Sequence, residues 1–170
     1  MGNQTRASGN NSFTGGTGSV TVGNNSLVFG NSATTTNAQA VAFGTLTTAS
    51  GENSLVGGHG SIASGENSLA FGKIAQATGT QARAFGESTA ANGTASVVNG
   101  FQSTANGNYS QATGYRAVTT GTYTYALGSN VTATGNYSFA QGATSEAIGD
   151  YSMAFGQYHL PSYSSLPQAH

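Results

Sequence analysis

A glycine recurs every 14 residues along most of this 170-residue chain: Gly16, Gly30, Gly44, Gly58, Gly72, Gly86, Gly100, Gly114, Gly128, Gly142 and Gly156. With the unit numbered from Ala7, this glycine holds position 10 in all eleven copies, and a second holds position 3 in ten, from Gly9 to Gly149. Asn37 is the exception. Disorder requires no residue to recur in register, so a strict period points to stacked units that share one core. Glycine, and next asparagine, tolerates a left-handed backbone. Two such columns seven apart predict two turns per unit, each preceded by a strand-like run of about five residues. One unit is then one coil, and residues 7–160 form one β-solenoid of eleven coils.

Strand side chains alternate between faces, which assigns the remaining columns. Position 6 is Ser, Ala or Thr, and position 8 is Ala, Val or Thr (Ala70, Ala84, Ala112, Ala126, Ala140 and Ala154 among them). Positions 13 and 1 are similarly small, so these four columns face one another inside a thin coil. Positions 14 and 2 are mostly polar and face water. Positions 7 and 9 carry the bulk: Leu27, Val41, Leu69, Val97 and Phe139 in one column, Phe29, Phe43, Phe71, Phe85, Leu127 and Phe155 in the other. These point out of the coil, and an exposed apolar stripe of that length marks an interface. The small interior stabilises little at about 25 cal/mol per Å² of buried apolar surface, so self-association along the stripe is expected to supply the rest.

Composition narrows the function classes. Four Lys/Arg against five Asp/Glu give a net charge of −1 and no basic stripe for nucleic acid or a membrane surface. Cysteine is absent, which removes disulfides and thiolate chemistry. No apolar run is long enough for a membrane helix, and the first residues lack the apolar stretch of a secretory signal. Assembly in the cytosol, or excision from a longer protein, is the expectation that follows.

The pattern Gly-x-x-Ser-x-Ala-x-Gly, as in Gly65–Gly72 and Gly149–Gly156, resembles the YadA-like head repeat of trimeric autotransporter adhesins. The resemblance implies a left-handed parallel β-roll assembled as a parallel homotrimer, with columns 7 and 9 turned toward the three-fold axis. It implies attachment to a host-surface protein or glycan, and a place at the cell surface. The same repeat occurs in phage tail fibres, so the alternative is a virion fibre or decoration protein that touches neighbouring fibre proteins and acts as a structural component. No signal peptide, neck, heptad stalk or membrane barrel is visible beside the repeat. Residues 1–6 are expected to cap or lead into the roll, and the Pro-containing tail 161–170 to cap or dock.

Chemistry-bearing residues are few. His59, His159 and His170 fall at turns or in the tail, so no metal site is expected. Glu52, Glu66, Glu87, Glu146 and Asp150 are scattered, and the serines form a structural column without a neighbouring base. Catalysis needs convergent groups in a pocket, so a non-enzymatic chain without cofactors is expected. Tyr109, Tyr123, Tyr137 and Tyr151 occupy position 5 of four successive coils. They predict a stacked ladder that stabilises the rungs; a surface strip for a glycan or protein is the other reading. Arg83, Asn99, Gln111, Thr113 and Gln141 interrupt the bulky columns, where they would need water, an anion or partners. A register-setting role is one reading of them, and solvent entry through coil curvature the other. The Thr columns are too irregular for an ice-binding array, and the Asn-x-Ser/Thr triplets fall out of the repeat itself.

Overall fold

The structure is a computed structural model that describes residues 2–157. Within them the chain forms two parallel sheets of eleven strands each. The long strands run five residues, such as Leu69–Lys73, and fill positions 7–11. The short strands run two residues, such as Gln76–Ala77, and fill positions 14 and 1. Each strand pairs in register with its equivalents one coil away, so Leu69 lies beside Leu55 and Arg83, and Phe71 beside Gly57 and Phe85. At about 4.8 Å per coil, the stack is roughly 50 Å long. Regular pairing begins at Arg6, which lies beside Val20. His159, His170 and the 161–170 tail lie outside the described residues.

Positions 6, 8, 13 and 1 form the interior. Ala40, Ala42, Ala75 and Ala77, one from each column, are all fully buried, as are the larger Val28, Val56, Val98 and Val131. Hydroxyls sit in the same columns; some are tied to backbone, while others, Ser68, Ser96 and Ser138 among them, have no hydrogen-bond partner among the described residues. Ser61 Oγ donates to the Gly72 carbonyl at 2.9 Å and accepts the Ala75 N–H at 3.1 Å. Ser26, in column 6, does the same, donating to Asn37 O at 3.0 Å and accepting from Ala40 N at 3.1 Å. Ser26 and Ser61 therefore link two coils while filling little more space than alanine, whereas Ser54 and Ser110 donate within their own coil, to Gly51 O and Gly107 O.

The corners differ from the sequence expectation. The position 10 glycines, Gly16 and Gly30 through Gly156, occupy the fourth place of each long strand rather than a turn. Gly72, for example, has φ +143, and a Cβ there would lie 1.9 Å from the Gly86 carbonyl oxygen in the next coil. The glycine is required both for its positive φ and because two backbones approach there. Position 3, by contrast, is not left-handed: Gly65 shows no positive φ, yet its Cβ would meet Gly79 O at 1.9 Å. At that position Asn37 sits outside the left-handed region too, and its Nδ2 donates to Ser50 O at 2.6 Å.

Left-handed residues other than glycine lie two places further on, at positions 5 and 12. They include Asn25, Gln39, Asn67, Ala95 and Tyr123 in one column, and Ser32, Leu46, Ile74 and Arg116 in the other. A left-handed φ costs an L-residue roughly 1–2 kcal/mol. Its effect is to turn the N–H toward the preceding coil: Asn25 N donates to Asn10 O at 2.8 Å and Ser32 N to Thr17 O at 2.8 Å. Strand residues donate the other way, as Leu27 N does to Ala40 O of the following coil at 3.1 Å. The bond across coils offsets the dihedral cost, and so non-glycine residues are held there.

Candidate functional site

The outward side of the long-strand sheet carries a run of bulky apolar side chains along the stack. Column 7 there carries Leu27, Val41, Leu69, Val97 and Phe139, all half-buried. Column 9 carries Phe71, Phe85 and Leu127, half-buried, with Phe29 at 52 % and Phe155 at 60 % exposure and Phe43 also exposed. Neighbouring coils partly cover one another. Phe13 stacks on Phe29 with centroids 5.5 Å apart, Phe71 on Phe85 at 6.2 Å, and Phe139 meets Phe155 at 5.3 Å.

Two glycines in column 9 belong to the same packing. A Cβ on Gly15 would come within 3.0 Å of Phe29 Cζ, and one on Gly57 within 2.5 Å of Phe71 Cε1. The phenylalanine ring leans over the preceding coil and covers a glycine there. The face thus stays continuous even where the large residue is missing.

Column 11, at the far end of the long strands, was not singled out in the sequence. Phe101 and Tyr115 stack there with centroids 5.5 Å apart and planes 2° from parallel, both exposed. Arg116 lies 5.1 Å from the Tyr115 ring centroid and donates through Nε to Gln102 Oε1 at 2.9 Å. Aromatic residues 14 apart in the sequence were the available signal.

The polar interruptions are distributed rather than gathered. Gln111 Nε2 donates to Thr113 Oγ1 at 3.2 Å, so these two satisfy each other on one strand. Asn99 is half-buried, while Gln141 is exposed beside Phe155 in a shallow depression lined also by Gly142, Ala143 and Gly156. No titratable side chain lines that depression. Among the described residues, no three of His, Asp and Glu come close enough to hold a metal ion.

Tyr109, Tyr123, Tyr137 and Tyr151 form the ladder expected of them. Successive centroids are 4.9, 5.2 and 5.1 Å apart, with planes within 13° of parallel. The rings therefore spend their faces on one another and present edges and hydroxyls to solvent. A flat sugar-binding face is left only at the two ends of the ladder.

A family model of the YadA head domain repeat (two copies) matches residues 16–47, 36–61, 49–75, 63–86, 91–117, 120–143 and 133–158. No curated protein matches the chain. The matched segments cover most of the solenoid, and the chain belongs to the YadA head domain repeat family.

Proposed function

We propose that this chain is the head or fibre module of a trimeric autotransporter-type adhesin, a non-enzymatic rod that attaches to a host or cell surface from outside the cell. Three parallel copies form a left-handed roll assembly, with columns 7 and 9 packed around the common axis. The observation that carries this reading is the apolar face of the long-strand sheet, which runs from Phe13 to Phe155 and is broken only where Arg83, Asn99, Gln111, Thr113 and Gln141 stand in its columns. A patch of that extent on a water-exposed rod is expected to be covered. The alanine and serine interior supplies little burial on its own, so association supplies much of the stability. Family membership supports the same arrangement. The attachment claim is tested with the chain displayed on fluorescent beads over cultured cells and over matrix-coated surfaces. Retention above that of bare beads is expected; equal retention on every surface contradicts it.

A further inference from the structure

We infer that Arg83 of one copy forms an ion pair with Glu87 of the neighbouring copy, and that this pair locks the axial register of the assembly. The inference rests on the parallel association proposed above. The long strand of the sixth coil begins at Arg83 and ends at Glu87. Copies related by rotation about an axis parallel to the stack keep each coil level with its equivalents. Their long strands then run in the same sense around the axis, so the start of one strand abuts the end of the next. Position 7 of one copy therefore faces position 11 of its neighbour, in the same coil.

Arg83 is the one charged residue in column 7, and Glu87 is the one acid in column 11. They fall in the same coil. Within the chain Arg83 makes no ion pair among the described residues and its side chain is exposed. Glu87 is engaged by one oxygen only: Lys73 Nζ lies 2.7 Å from Oε1, in a pair with side chains 59 % and 42 % exposed. Among the described residues Oε2 has no partner, and a guanidinium's fork suits a carboxylate.

A slip of one coil leaves mostly apolar side chains of columns 7 and 9 around the axis, and it re-pairs the junctions between columns 7 and 11, whose residues differ from coil to coil. It moves Arg83 opposite either Lys73 or Phe101, a like charge or an aromatic ring. Charged groups at interfaces are well suited to suppress such wrong pairings.

The test uses two charge reversals in the full chain, Arg83→Glu and Glu87→Arg, carrying different mass tags. Each variant alone sets like charges against each other at every junction, whereas a mixture restores opposite charges wherever the two kinds meet. After co-refolding at equal concentration, native mass spectrometry is expected to find mixed trimers in clear excess over random mixing, with the excess falling as salt rises. Random mixing overturns the ion pair and leaves the trimer standing; an unmutated chain that is monomeric overturns both. Should a reversal fail to fold, as read by circular dichroism, Arg83→Gln, Glu87→Gln and their double variant replace it. Coupled losses in trimer melting temperature, with the double variant no worse than either single one, support the pair; additive losses overturn it.

Discussion

Ser61 bridges two coils through one atom: its Oγ donates to Gly72 O and accepts from Ala75 N, at 2.9 and 3.1 Å. The Ala75 N–H is buried, and this hydroxyl is its partner. Ser61→Ala removes the acceptor without making room for water. A loss of about 1–3 kcal/mol is expected, the cost of an unsatisfied buried donor. Urea unfolding of the two proteins checks it; equal midpoints and slopes would show that the bridge contributes nothing.

Gly58 and Gly60 stand two residues apart and both have positive φ, +113 and +63, but they should respond very unequally to alanine. At Gly58 a Cβ would lie 1.9 Å from Gly72 O, against backbone that cannot move without opening the stack. At Gly60 the nearest atom is Ile74 Cγ1 at 3.7 Å, and the equivalent residues in neighbouring coils, Leu46 and Ile74, already hold that backbone with side chains. Gly60→Ala is expected to cost about 1–2 kcal/mol at most. Gly58→Ala is expected to prevent the folded stack or lower its melting temperature far more. Comparable melting temperatures for the two variants would contradict the assignment of close approach to one and corner geometry to the other.

The tyrosine ladder is predicted to be structural. Tyr123 stacks on both Tyr109 and Tyr137, at 4.9 and 5.2 Å. Tyr123→Asn keeps a residue suited to φ +56 and removes both stacks. Each stacked pair contributes about 0.5–1.5 kcal/mol beyond burial, so the melting temperature should fall while binding to a glycan panel stays unchanged. Lost glycan binding with unchanged stability would turn the ladder into a ligand strip.

The Lys73–Glu87 pair, by contrast, should matter little within one chain. Both side chains are substantially exposed, and an exposed pair contributes about 0–1 kcal/mol. Lys73→Gln is expected to leave the urea midpoint of the folded chain within that range. A larger loss would mean that the charge does more than decorate the surface.

The interior was legible in the sequence because it depends on size. Ala40, Ala42, Ala75 and Ala77 stand in columns whose members are all small, and alternation alone sends them inward. The stripe of Phe29, Phe71 and Phe155 was legible for the complementary reason, since nothing so large fits such a coil. The corners were misplaced because glycine answers two different needs. At Gly65 it permits close approach, not a left-handed turn, while the left-handed place falls to Asn67 and to Tyr123 further along. Tyrosine carries no signature of that backbone. What holds it is a bond to the preceding coil, Tyr123 N to Asn108 O at 3.0 Å, which exists only once the coils have stacked. The leaning of Phe71 over Gly57 was hidden for the same reason, as a relation between coils.

Sedimentation equilibrium of the unmutated chain beside Phe71→Asp tests most directly the proposal that three rods associate along the apolar face. Phe71 lies midway along the apolar face, stacked on Phe85, so a carboxylate there would be buried in any assembly that covers the face. The unmutated chain is predicted to sediment at three times the mass of one chain, and Phe71→Asp to dissociate or unfold. A soluble, folded monomer from the unmutated chain, at concentrations where a stable assembly should persist, would contradict the account.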